Sequence, residues 1–425
     1  MRLSSFATFA AVSVLSVASS AAERFEAASS INALGLDLYR EQIKTAGDRP
    51  VLLSPYSIAT ALAMTYAGAA GDTQAEMQRV LRLPAGRAVS GAAFRDLDRQ
   101  LAKTVANSTR DVALLRDNGG DATPLELTVA NRLFAQDGYA FRPEFIDRLH
   151  ADFGTTLEKL DFRTDPDRGR KVINDWVAHQ TKERIRDLLP AGLPTRDTRM
   201  VLVNALYLRA AWLKEFTGRT QAAPFHFLDG SVAPVDTMRT QRHFGYAKRS
   251  GYSVVTVPYQ TGELQFVLIV PDAKDRLPKI EQKLTAADLT ACARLERKEV
   301  ILHLPKFKLA PESMSLGQTL QALGLRNAFD QPRGSANFDG MAPRRPDDYL
   351  FIGDVIHKTW LSLDEHGTEA AAATAVVMLA AFSAAPRDEP PPIEVRADRP
   401  FLFAIQHIDS GACLFLGRVT DPRSE

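Results

Sequence analysis

Cysteine is nearly absent: Cys292 and Cys413 are the only two in 425 residues. Two cysteines cannot build a disulfide framework, and Cys413 lies in the apolar strand pattern ACLFLGRV, where a buried free thiol is the expectation. An excess of one charge is absent too. Lys and Arg number 52 against 51 Asp and Glu, so composition points to neither nucleic acid nor an anionic membrane surface. Basic residues form no run. Near residues 92–107, Arg95, Arg99 and Lys103 stand beside Asp96 and Asp98, so no heparin-like polyanion site is signalled. No segment approaches the length of apolar chain that membrane insertion requires. The catalytic templates are missing as well, with no G-x-S-x-G elbow, no H-E-x-x-H and no dinucleotide glycine fingerprint. Gly68 and Gly71 in GAAGDT lack the lysine of a phosphate loop. Glu365, His366 and Glu369 have no second ligand cluster, and a metal site needs convergent ligands. Neither metal nor cofactor is expected.

What is present begins at the N-terminus. Arg2 precedes an uncharged apolar run, Phe6–Val17, then Ala18-Ser19-Ser20-Ala21-Ala22 before Glu23. This is the order of a secretory signal over residues 1–22, with cleavage after Ala22 and a mature chain of residues 23–425. The expected location is secreted or periplasmic. Composition is globular, 45% hydrophobic and 24% charged, enough to bury a large core. Spacing predicts helices over 29–45, 57–68, 92–107, 143–153, 169–189 and 277–294. Ser57 is expected to cap the second, and Thr73 with Glu76 to form a capping box for the next. Strands are expected over 125–136, 201–212 and 299–309, with hairpins turning at Asp229-Gly230 and Asp409-Ser410-Gly411. VLVNALYLRAAW (201–212) is apolar almost throughout, as a central buried strand must be. Helices come mostly early and strands late, with no linker between two cores. The expected fold class is α+β, in one domain.

One stretch fits none of these elements. Residues 368–385 contain neither glycine nor proline, and Pro386 and Pro390–Pro392 follow. Ala370–Ala373 favour a helix by propensity, yet no polar face recurs at helical spacing. As a strand the segment is coherent. Every ladder donor is present because proline is absent, and the alanines are small enough to slide between neighbours. Thr368, Ala370, Ala372, Thr374, Val376 and Met378 would share one face. Glu369 is expected on the other face, in solvent.

DEHGTEAAAATA (364–375) closely resembles the hinge signature of serpins, the serine-protease-inhibitor superfamily. SPYSIATALAMTYAGAAGDT, LTVANRLFAQ, VINDWVAHQTKERIRDLL, VNALYLRAAWLKEF, GYSVVTVPYQTGELQFVLIVPD, HLPKFKL and RPFLFAIQHIDSGACLFLGRV resemble other serpin motifs. They occur in family order over residues 28–420. The resemblance implies a serpin fold: three β-sheets, about nine helices and an exposed reactive-centre loop, about residues 365–397. It implies suicide inhibition, in which a protease attacks the loop, forms an acyl-enzyme and is trapped as the loop enters the main sheet. The hinge is then Glu365, Gly367, Thr368, Glu369, Ala370, Ala371, Ala372, Ala373 and Thr374.

Counted from Glu365 in the family's manner, the scissile bond joins Ala381 and Phe382. Residues 365–381 in extended form span about 50–55 Å at about 3.3 Å each, a full sheet length. Counting back from RPFLF puts the bond near Glu389 instead, beyond Pro386, which an inserting strand cannot contain. Ala381 suits an elastase-type pocket, and a shift to Leu379 or Phe382 suits chymotrypsin- or subtilisin-like enzymes. No Arg or Lys precedes Arg387 in the loop to suit a trypsin-like one. Ser54, Ser57, Asn204 and His357 match the family's shutter, a polar cluster beneath the sheet opening. Trp212 matches the breach, where the loop first enters, with Lys306 and Glu365 as a charge pair there. Pro50 stands where the family usually has asparagine. The expected partner is a target serine protease, held covalently by a monomeric inhibitor that is not itself an enzyme. Two alternatives remain: a non-inhibitory serpin acting as carrier, chaperone or structural protein, and a hydrolase using Ser54 or Ser57 with His357.

Overall fold

The chain is described by a computed structural model covering residues 27–83, 91–120, 122–346, 348–369 and 390–423. It opens with α1 (27–46), which buries Ile31, Leu34 and Leu38. Short β1 (Val51–Leu53) leads into α2 (Pro55–Tyr66), buried along almost its whole length. Ser54 accepts a hydrogen bond from the Ser57 N–H, and Pro55 fills the first turn, where no donor is needed. The cap is therefore Ser54, not Ser57. In α3 (Gly71–Val80), which follows Ala70 without a side-chain cap, the expected Thr73–Glu76 box does not form. Thr73 accepts instead from the backbone N–H of Asn337, and Glu76 from those of Arg326 and Asn327. Long-range tethers have displaced the local one.

Helix α4 (Ala92–Asp117) runs well past residue 107, because no glycine or proline interrupts it there. Next come β2 (Glu126–Gln136), α5 (Pro143–Phe153), β3 (Leu157–Leu160) and α6 (Pro166–Gln180). Asp165 caps α6 earlier than expected, and the backbone turns left-handed at Lys182, Glu183 and Asp187, ending the helix well before residue 189. After β4 (Met200–Ala211) come β5 (Gln221–His226), β6 (Val232–Arg249), β7 (Tyr252–Pro258) and β8 (Leu264–Pro271). The helix expected over 277–294 is divided into α7 (Leu277–Lys283) and α8 (Ala286–Ala291), with a capping box between Thr285 and Asp288 at the break. Strands β9 (Arg297–Pro305) and β10 (Phe307–Leu309) part at Lys306 and join different sheets. The remainder is β11 (Met314–Ser315), α9 (Gly317–Ala322), β12 (Asp354–Thr359), β13 (Leu361–Leu363), β14 (Gly367–Thr368), β15 (Ile393–Arg396), β16 (Phe401–His407) and β17 (Cys413–Val419).

The nine-stranded sheet runs β1-β17-β16-β8-β7-β6-β9-β15, with β5 on β6. The 18-residue β6 serves two halves of it, pairing first with β5 and β9 and later with β7. Those halves and the eight-stranded main sheet make up the three sheets of the expected fold. The main sheet runs β10-β13-β14-β4-β12-β11, with β2 on β4 and β3 on β2. Strand β4 is buried on both faces. Val201, Val203 and Ala205 pack with Ile173 and Val177 of α6, while Leu202, Leu206 and Leu208 join the large core that includes Ile58 and Leu62 of α2. Two buried faces explain why its sequence lacks polar alternation. Cys292 and Cys413 are free and buried, and burial pushes the Cys292 thiol up to about 12, which leaves it inert.

Candidate functional site: a zipped slot and an inserted loop stem

Strands β12 and β4 are parallel and directly paired from Asp354↔Val201 to Thr359↔Leu206. The register along this closed stretch sets Asn131 of β2, Asn204 of β4 and His357 of β12 side by side, next to the start of α2. The Ser57 hydroxyl donates to Asn131 Oδ1 at 2.8 Å, and Asn204 Nδ2 donates to the same oxygen at 3.2 Å. Asn131 Nδ2 returns a bond to the Ser57 carbonyl at 3.1 Å. His357 Nδ1 lies 2.5 Å from Asn204 Oδ1, and its Nε2 accepts from the Ser54 N–H at 3.1 Å. A backbone N–H can only donate, so the ring proton belongs on Nδ1 and the imidazole is neutral. Burial holds its pKa down to about 3.

Ser54, Ser57, Asn204 and His357 are thus brought together, and Asn131 completes the set. The same geometry overturns the hydrolase arrangement. The Ser57 hydroxyl serves Asn131, Ser54 Oγ accepts a backbone bond, and the imidazole lone pair faces the Ser54 N–H. All three residues are buried. Neither serine forms a nucleophile–base pair with His357.

Above Thr359 the main sheet is built differently. Strand β14 lies between β13 and β4, pairing Leu363↔Thr368 on one side and Gly367↔Ala211 and Thr368↔Ala210 on the other. Gly367 has φ +151°, and a Cβ there would stand 2.1 Å from the Ala210 carbonyl oxygen, so only glycine fits. The turn before it is tied by Asp364, whose N–H donates to the Gly367 carbonyl at 2.9 Å and whose Oδ1 accepts from the His366 N–H at 2.8 Å. Trp212 grips that turn twice. Its backbone N–H donates to the His366 carbonyl at 2.8 Å, and its indole N–H to the Asp364 carbonyl at 2.9 Å. Tyr259 stacks on Trp212 with centroids 4.7 Å apart, and its hydroxyl meets the buried Thr368 hydroxyl at 2.6 Å.

Two carboxylates flank this stem. Glu365 meets Lys306 Nζ at 3.0 Å and accepts from the Thr220 hydroxyl. Burial pushes the Glu365 pKa up, but Thr220 and Lys306 outweigh it and hold the group below its ordinary value. Glu369 is not in solvent as expected. Its backbone takes the left-handed φ of +48°, its N–H donates to the Ser362 carbonyl at 2.8 Å, and its side chain is only 10% exposed, paired with Arg184. Burial raises its pKa, partly offset by Arg184. The chain after α6 folds over this face of the sheet and covers it, which alternation alone cannot reveal.

Trp212, Lys306, Glu365, Gly367, Thr368 and Glu369 therefore converge. Ala370, Ala371, Ala372, Ala373, Thr374, Ala381 and Phe382 lie outside the described residues, as do residues 1–22. Tyr259, Thr220 and Arg184 carry no local signal of their part in the site, because each reaches it through contacts distant in sequence; Asp364 acts through the next three residues and opens the hinge motif. Among the described residues no group of three or more His, Cys, Asp or Glu side chains converges on a metal-sized space, and no helix is long and apolar enough to cross a membrane.

The fold and site define a class: an α+β protein whose main sheet takes the short strand Gly367–Thr368 between β13 and β4, above a seam zipped shut below. A family model described as "Serpin (serine protease inhibitor)" matches residues 29–422, and the chain belongs to that family. It is 36% identical over 410 residues to a leukocyte elastase inhibitor of Bos taurus, covering 94% of this chain and all of the relative. The corresponding inhibitor of Sus scrofa is 34% identical over 397 residues, covering 91% and 97%. Among solved structures, Serpin48 of the insect Tenebrio molitor superposes with a TM-score of 0.76 at 28% identity, covering 93% of this chain and 98% of that one.

Proposed function

We propose that this serpin is an exported suicide inhibitor of an elastase-, chymotrypsin- or subtilisin-like serine protease. The observation that carries the reading is β14, which puts the first residues of the loop in the position the rest would extend. Ser54, Ser57, Asn131, Asn204 and His357 are the shutter, the network that must part before the loop can advance. Trp212, Lys306 and Glu365 hold the breach. In the proposed reaction the protease serine oxygen bonds the Ala381 carbonyl carbon and the Ala381–Phe382 peptide bond breaks. Phe382 leaves as a free amine carrying the serine proton, and the ester stays on Ala381. Insertion of residues 369–381 then carries the acyl-enzyme away from water-competent geometry. Relatives named as elastase inhibitors and the small Ala381 side chain support the elastase-type preference.

Incubation with pancreatic elastase, chymotrypsin and subtilisin tests this. The expected result is an SDS-stable complex with one of them and a released fragment beginning at Phe382. Cleavage of the loop by all three with no complex would overturn inhibition. Export predicts that the protein recovered outside the cytoplasm begins at Glu23; a retained Met1 in that fraction would overturn it.

A further inference from the structure

Behind the hinge, a half-open cleft of about 330 Å³ lies between the segment after β4, the middle of β6 and the ends of β7 and β9. Its volume is at the small end of the range for organic ligands. The floor is apolar, made by the buried side chains of Val257 and Phe244, and Leu213 forms one wall while 44% exposed. The rim is cationic, with Lys214, Arg242 and Arg297 all lining the same space.

Among the described residues none of these three cations forms a direct ion pair with a carboxylate. The carboxylates nearest in the chain are engaged elsewhere, Glu215 with His366 and Glu296 with Lys298. Glu299 accepts from the neutral Gln241 amide and keeps its negative charge at the edge of the cleft, leaving three cations against one carboxylate. Arg242 reaches only the Glu215 carbonyl, at 3.5 Å, and its buried Nε has no hydrogen-bond partner. Arg297 spends one nitrogen on the His243 carbonyl at 2.8 Å. Arg297 and Lys214 are exposed and open to water, but the buried Arg242 Nε is costly to leave without an acceptor.

We propose that this cleft is a binding site for a small amphipathic organic anion, an aromatic carboxylate or sulfonate. The ring system lies against Val257, Phe244 and Leu213, and the acid group is shared by Arg242, Arg297 and Lys214. Three cations beside the apolar Val257, Phe244 and Leu213 favour such an anion over inorganic anions, which leave the apolar wall unfilled, and over neutral aromatics, which leave the cations unmet. The cleft also adjoins the hinge. The Leu213 N–H donates to the Pro258 carbonyl at 3.0 Å, and the next residues in the chain, Trp212 and Tyr259, are the stacked pair that holds the loop stem.

Calorimetric titration of the intact, uncleaved protein with naphthalene-2-sulfonate tests the site without reference to inhibition. One-site binding is expected. Affinity should fall at least tenfold in Arg242→Gln/Arg297→Gln, severalfold in the surface variant Leu213→Ser, and at least tenfold with the neutral naphthalene-2-sulfonamide as ligand. The proposal is overturned by no binding to the wild-type protein, by unchanged affinity in both variants, by equal binding of the sulfonamide, or by inorganic sulfate competing at the same concentration. Circular dichroism of the variants guards against reading a folding defect as a lost site.

Discussion

The two ends of one gap in the main sheet are closed by different means. Along 354–359, β12 meets β4 directly, and the seam is backed by a network in which each polar group serves another. Along 361–363 the same edge meets β14 instead, held by one glycine-specific fit, a Tyr–Thr hydrogen bond and ion pairs near the surface. The lower seam is buried and its parts depend on one another; the upper one is a set of separable contacts. A sheet closed this way is expected to open from the top downwards. Removing a lower contact should cost global stability, and removing an upper one should chiefly change how the loop behaves.

The largest effect is expected from Glu369→Pro. Proline removes the N–H that reaches Ser362 and cannot adopt the observed left-handed φ, so the stem cannot extend. The number of inhibitor molecules cleaved per protease trapped should rise by more than about tenfold, since the ladder fails at its next rung. Unchanged stoichiometry by gel densitometry would show that insertion does not proceed through residue 369.

Asn204→Ala comes next. It strands the His357 Nδ1–H and one partner of Asn131 in a buried seam, which should lower unfolding free energy by about 2–4 kcal/mol. Urea denaturation reads this directly, and a loss no larger than that of a surface control would contradict an interdependent seam.

The seam should also sense pH. The His357 pKa is depressed to about 3 in the fold, against about 6.5 when unfolded. Its contribution is fully present above pH 6.5 and is lost as pH falls from there towards 3, by at most about 1.4 kcal/mol per unit. The stability gap between wild type and His357→Gln should therefore shrink between pH 7 and 5. A constant gap would mean that the imidazole is not held neutral. The smallest effect is expected at the top, where Tyr259→Phe removes only the Thr368 bond, worth about 1 kcal/mol.

Much of this contrast is legible in the chain, unevenly. The apolar run of β4, the glycine before Thr368 and the absence of proline through 385 are local properties, and they anticipate a central strand and a loop fit to join it. Ser54, Ser57, Asn204 and His357, which the structure brings together, are found by motif resemblance, not by local physics. Asn131 escapes because its role depends on cross-strand register, which LTVANRLFAQ cannot disclose. The Thr73–Glu76 box and the solvated Glu369 fail for a related reason: the tethers at 326–337 and Arg184 arrive from far along the chain. Local rules state what a residue can bond, and tertiary neighbours decide what it does bond.

The order of strands in the other sheet bears on how the molecule comes into being. Strand β1, near the start, pairs with β17, near the end, at Val51↔Arg418, and β16 and β17 stand between β1 and β8. The buried Arg418 reaches Glu281 at 3.2 Å, tying in α7 as well. Two interior strands are thus supplied by residues 401–419, made long after β1 and β8, so the growing chain has a gap in this sheet until they arrive. Such long-range pairing is slow to form and leaves apolar surface open while it waits. A chain cut before Phe401 should be an aggregation-prone precursor and not a weakened serpin.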